Sequence, residues 1–138
     1  MADLTPANYV LYVLMRTDLA SMNAGKAMAQ SNHAYGALKK AIKTRIALQP
    51  HYLAWMDSTP QEFGTTLVLG GSEREIGLAP DRAYGLAGKT SVGGWVVDPT
   101  YPLRDGDVTH LINLRTCAFL FCKKEHSREL LSHLDLHP

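Results

Sequence analysis

A chain of 138 residues, 46% of them apolar, 20% charged and two of them cysteine, is long enough for one sheet with helices packed on it and too short for two full α/β units. Its formal net charge of +1 excludes a surface coated for nonspecific nucleic-acid binding, so any RNA-binding surface must be a local patch. Met1–Pro6 has no basic segment ahead of an apolar one and no apolar run approaches membrane-spanning length, so a soluble, cytoplasmic protein with no membrane attachment is expected.

After a polar lead of eight residues, Tyr9–Met15 is apolar throughout, which predicts a central strand covered on both faces. A polar turn follows, with Ser21 and Asn23 as candidate N-caps, and an Ala-rich helix is predicted from Asn23 to Ile42. At about 100° per residue, Met28, Tyr35, Leu38 and Ile42 share one side, predicted to face the sheet, and Lys26, Gln30 and His33 share the other. Lys26 sits in the first turn, where the helix dipole disfavours a cation, so something negative nearby is expected. Periodicity alone equally fits an amphipathic helix whose polar face meets water. Lys39, Lys40, Lys43 and Arg45 read as a solvated helix end or a local basic patch.

Thr44–Gly64 predicts a second, shorter helix over the sheet, with Trp55 packed and His51 at the surface. Thr65–Leu69 predicts a strand stopped by Gly70-Gly71, and Ser72 with Glu75 three positions on forms a capping-box signature. Gly77, Pro80, Gly85 and Gly88 predict that the ensuing helix is two short pieces or one broken one. Gly93–Val97 predicts a third strand that meets a turn at Asp98-Pro99, where Asp98 on its own fits a turn aspartate. A turn at Asp105-Gly106-Asp107 and the β-like run Val108–Leu114 predict a hairpin arm or lid. Thr116–Cys122 is the last predicted strand. Its two cysteines lie about 16 Å apart if extended and point to opposite faces, so they read as buried hydrophobes of a reducing compartment rather than a disulfide. Ser127–Leu134 predicts a closing helix capped by Ser127. The order β-α-α-β-α-β-β-α implies an α/β fold in a single domain: a mixed four-stranded sheet with helices packed on both faces.

Two other chemistries are weighed and set aside. His126, His133, His137 and Asp135 fall at a terminal helix end with no cysteine beside them, so they read as surface groups and no metal is expected. No G-x-S-x-G elbow follows a strand, and Gly25-Lys26 lacks the earlier glycine and the Ser/Thr of a P-loop.

Arg16-Thr-Asp-Leu19, Gly25-Lys-Ala-Met-Ala-Gln30 and Ser31-Asn-His-Ala34, in that order after a buried strand, resemble the opening of the type II peptidyl-tRNA hydrolases of archaea and eukaryotes. That family's helix starts GKGK, where this chain has Asn23-Ala24 before Gly25-Lys26. Its third strand delivers D-A-G-x-T, where this chain has Asp98-Pro-Thr-Tyr-Pro102. Thr116–Cys122 resembles the family's Thr-x-L-x-I-G-P strand, with Lys123-Lys124 in place of Gly-Pro, and Ser132–Leu136 is similar to its closing GHLKL. The likeness is good over residues 9–42 and weak over residues 43–90. It implies hydrolysis of the ester joining a peptide to the terminal ribose of tRNA, with no cofactor and no metal. An ester needs little leaving-group help, so a positioned water and a stabilised oxyanion suffice. The resemblance assigns catalysis to Lys26, which would contact a phosphate or the oxyanion, Asp98, which would pair with Lys26 and orient water, and Thr116, which would hydrogen-bond the ester or ribose. It assigns substrate binding to His33, Gln30, Arg16 and Thr100. Peptidyl-tRNA is the implied partner, and a homodimer is a possible assembly because family members often pair. Two competing readings are a catalytically inactive tRNA- or phosphate-binding module of the same fold, and an interaction domain that uses the longer 99–115 segment.

Overall fold

The computed structural model describes residues 9–138; the polar lead, and the expectation attached to it, lies outside the described residues. Five strands form one sheet: β1 (Tyr9–Arg16), β2 (Thr66–Gly71), β3 (Val92–Asp105), β4 (Val108–Lys123) and β5 (Asp135–Leu136). Their spatial order is β3-β4-β1-β2-β5, with β1 parallel to β2 and antiparallel to β4. The central β1, apolar from Tyr9 to Met15, is buried along its full length, as expected. The expected four strands gain a fifth, because the two residues Asp135–Leu136 pair with Gly70 and Leu69 on the outer edge of β2.

Helices cover both faces. Side chains alternate along β1, so Tyr9, Leu11, Val13 and Met15 enter a core with α1 (Ala24–Ile42) and α2 (Gln49–Asp57) that includes Leu38, Trp55 and Phe121. Val10, Tyr12 and Leu14 enter a second core with α3 (Glu73–Ala87) and α4 (Ser127–Leu131) that includes Ile76, Ala79 and Leu130. Each buried Val, Leu, Ile, Phe or Met side chain among these contributes about 1.5–3 kcal/mol. Cys117 belongs to the first core and Cys122 to the second, and both are free thiols, as the spacing predicts.

Several boundaries depart from expectation. The helix predicted somewhere in Thr44–Gly64 is confined to α2, preceded by a 3₁₀ turn at Ile46–Leu48, with Pro50 in its first turn, where no N–H is needed. His51 is half-buried and stacks on Tyr9 at 4.7 Å between ring centroids rather than standing free at the surface. α3 runs unbroken through Pro80. Its capping box forms in both directions, Glu75 N–H to Ser72 Oγ and Ser72 N–H to Glu75 Oε1, and Ile76, Ala79 and Ala83 bury against the sheet, which outweighs the bond that proline removes. In α4, His126 takes the N-cap position and Ser127 is the first helical residue; the helix stops at Leu131, which frees the β5 residues to pair.

The largest departure concerns β3. Asp98 and Pro99 are not in a turn; the strand continues to Asp105 and folds back into β4 through Gly106 at φ +60°. The register shifts between Asp98 and Tyr101, a bulge that accommodates Pro99 on an edge strand. The segment beyond Asp98 is thus a two-stranded arm.

Candidate functional site

The start of α1 is set by Asn23, whose Oδ1 accepts the Lys26 N–H at 2.9 Å. The Lys26 side chain folds back from this turn. Its Nζ donates to the carbonyls of Ser21 (3.0 Å) and Pro102 (3.1 Å) and lies 5.3 Å from the centroid of the Tyr101 ring. The negative neighbour expected for this lysine is therefore a pair of carbonyl dipoles and a π face, not a carboxylate. Lys26 and Asp98 form no ion pair; the cation instead ties the polar turn to the arm, four residues beyond Asp98 on β3. Tyr101 is fully buried beneath it, with its hydroxyl 3.1 Å from Ser21 Oγ.

One helical turn on, the wheel reading fails in an informative way. Gln30 is buried and Met28 is 69% exposed. The stripe that faces the sheet is Ala27, Gln30, Ala34, Leu38 and Ile42. Small alanines let the helix approach the sheet, and Gln30 is drawn inward by polar partners on two strands. Its Nε2 donates to Asp98 Oδ2 at 2.8 Å, and its Oε1 accepts from Thr116 Oγ1 at 2.6 Å. The charge on Asp98 fixes the sense of this chain: a carboxylate only accepts, so the amide must present its nitrogen to Asp98 and its oxygen to Thr116.

Asp98 Oδ1 accepts twice from Thr100, from the backbone N–H at 2.9 Å and from Oγ1 at 3.2 Å. Burial works against the charged form, but the Gln30 amide, the two Thr100 donors and nearby His33 together outweigh it and hold the carboxyl below the usual aspartate range. Of about four acceptor positions on a carboxylate, three are used, which leaves capacity on Oδ2 for one more donor.

A cleft of about 550 Å³ opens beside this carboxylate between α1 and β3, lined by His33, Gly36, Trp95, Val97, Asp98 and Thr100 among others. The structure thus gathers Gln30, Asp98, Thr100 and Thr116 into one hydrogen-bonded group with His33 on the same cleft, and sets Lys26 beyond them at the root of the arm. Arg16 lies apart. Its guanidinium grips Asp18 (2.8 and 3.2 Å), the Arg115 carbonyl (3.0 Å) and Glu73 (3.2 Å), and it is buried while the two carboxylates reach solvent. That arrangement pins the polar turn to the start of α3 rather than presenting a cation to a ligand, and the Arg16 bond lowers the Asp18 carboxyl below its ordinary value. Tyr101 was not foreseen; the only signal for it is an aromatic between two prolines in a segment read as a turn.

Among the described residues, no group of three His, Cys, Asp or Glu side chains is placed to hold a metal ion, and no helix is long and apolar enough to cross a membrane. In comparisons with known proteins, no family model and no curated protein matches this chain.

Proposed function

We propose that the protein hydrolyses the ester between peptide and tRNA in the cleft beside Asp98. One observation carries the reading: Gln30, Asp98 and Thr116, three residues singled out by the resemblance and separated by up to 86 positions, meet in a single buried hydrogen-bonded chain.

In this reading a water donates to the remaining acceptor position on Asp98 Oδ2 and attacks the ester carbonyl carbon. Asp98 takes the proton as the carbonyl electrons move onto oxygen. Collapse of the tetrahedral species re-forms the carbonyl and breaks the bond to the ribose oxygen, which leaves with the proton from Asp98. The products are a peptide with a free carboxyl group and a tRNA with its terminal hydroxyl restored. A carboxylate held below its usual range is a weak base, which suits orienting water toward a reactive ester more than deprotonating it early. Thr100 and Gln30 keep the carboxylate in place, His33 lines the substrate side, and Lys26 sets the cation at the root of the arm, toward the phosphate of the tRNA end.

The test is release of labelled peptide from an N-blocked aminoacyl-tRNA in the presence of EDTA. Wild-type protein should release peptide, and Asp98→Asn should slow release by about 10²-fold or more, with Lys26→Ala also impaired and both variants folded. Wild-type-like rates in both variants would sink the catalytic reading. Absence of release, with tRNA bound in a Lys26-dependent way, would replace it with the inactive binding module.

A further inference from the structure

β3 is an edge strand, so its backbone separates two concavities that lie on opposite faces of the sheet. Val96 faces the α1 core, whereas the next residue back, Trp95, packs with the α3 core. On the α3 side, Gly93, Trp95, Asp81, Tyr84 and Arg45 help to line a cavity of about 250 Å³. Trp95 also lines the Asp98 cleft, and a further groove that holds Arg115. A single aromatic residue therefore borders both the candidate site and a second cavity around the strand edge.

The chemistry of that cavity is specific. Tyr84 is 80% exposed, so its ring is largely uncovered. The Arg115 guanidinium stacks on Trp95, 5.1 Å from its ring centroid. The Asp81 carboxylate is exposed, and its side chain makes neither an ion pair nor a hydrogen bond among the described residues. Arg45 is fixed by the carbonyls of Gly88 (2.6 Å) and Ser91 (2.9 Å), which places a charge in the lining. Gly93 leaves no room for a side chain: a Cβ there would come within 2.8 Å of the Phe119 carbonyl on the neighbouring strand.

We infer that this cavity binds a nucleobase of the single-stranded tRNA end, with Trp95 and Tyr84 as stacking surfaces and Asp81 as acceptor for an exocyclic amino group. The inference rests on the peptidyl-tRNA reading, since the RNA strand would cross the β3 edge from the Asp98 cleft. Two aromatic rings, an exposed acceptor and the Arg45 cation match the three parts of a nucleotide: ring, amino edge and phosphate. Cytosine and adenine offer an amino group to Asp81; uracil puts a carbonyl oxygen at that position, which the carboxylate repels, and has only its ring N3–H to donate. An aliphatic or lipid occupant would leave the Asp81 carboxylate without a role.

Trp55 is fully buried and Trp95 is not, so quenchable tryptophan fluorescence reports Trp95. The full chain is titrated with the trinucleotides CCA, the common 3′ end of tRNAs, and UUU. CCA should quench the fluorescence and bind about tenfold more tightly than UUU, a preference that Asp81→Asn should largely abolish. Trp95→Leu should weaken CCA binding by calorimetry about tenfold and act on KM for peptidyl-tRNA more than on kcat, while Trp95→Phe, which keeps a ring, should recover most of both. Equal CCA affinity in wild type and Trp95→Leu, or no preference over UUU, would overturn the inference. The two proposals fail separately: CCA quenching without peptide release refutes the hydrolase and leaves the pocket, whereas release with CCA affinity and KM unchanged in Tyr84→Leu, a residue that lines the α3-side cavity and not the Asp98 cleft, refutes the pocket and leaves the hydrolase.

Discussion

Gln30 is the residue on which the candidate site turns, because it alone connects α1 to both strands that supply polar groups. Gln30→Leu leaves the Thr116 hydroxyl and one side of the Asp98 carboxylate without a partner. It should destabilise the protein by about 1–3 kcal/mol in urea unfolding. The sign of the pH effect follows from the same bond. Asp98 titrates below its ordinary value, so its ionised form contributes stability above the unfolded-state pKa of about 4, and that contribution is lost as pH falls through the lower folded value. Removing the Gln30 donor raises the folded value, so the acid limb of peptide release should move to higher pH in Gln30→Leu. An unmoved limb would show that Asp98 is not held by Gln30. At this scale the sequence was legible in residue type and not in direction. The sequence marks Asp98, Thr116 and Gln30 by type, yet a helical wheel turns Gln30 to the solvent side, because it weighs Met28 above the alanines. Nothing in a wheel registers that two partners 68 and 86 residues away make an inward amide favourable.

Elements were easier to read than their ends, since burial pattern and caps are local while strand extension depends on pairing partners. The apolar run of β1, the Asn23 cap of α1 and the capping box of α3 all follow from neighbouring residues. The continuation of β3 through Asp98-Pro99 does not, because it is β4 that supplies the ladder and the bulge. The arm so formed is held at its root by Lys26, whose two carbonyl bonds span the Ser21 turn and Pro102. Lys26→Met keeps the stem and removes the donors. Amide hydrogen exchange should then accelerate through residues 100–112 while β1 amides keep wild-type protection, and uniform acceleration would mean that Lys26 stabilises the whole fold instead. A second element-level prediction concerns the loop before β2. Gly64 has φ +70°, and a Cβ there would overlap the Trp55 ring. Trp55 is fully buried, and its Nε1 donates to the Thr65 carbonyl at 2.8 Å. Gly64→Ala combines a left-handed conformation with overpacking and should cost about 2–4 kcal/mol in thermal or urea unfolding.

At the scale of the whole molecule, one sheet separates two cores, and each core carries a single cysteine: Cys117 on the α1–α2 side and Cys122 on the α3–α4 side. Their placement on opposite faces was legible from an odd sequence separation alone, because strand periodicity needs no tertiary information. Burial pushes both thiols up to about 12, so neither presents a thiolate near neutral pH in the folded state. Reaction with a disulfide reagent therefore requires opening of the layer that covers each one. β1 contributes alternate side chains to both cores, so loosening one layer strips support from the strand that anchors the other. Cooperative opening follows from that shared strand: both thiols should react at one rate, and that rate should rise with urea at the slope of global unfolding. Mass spectrometry of partially labelled protein separates the alternatives, since a population labelled at Cys122 alone would show that the α3–α4 layer, which includes the five-residue α4, opens without the rest.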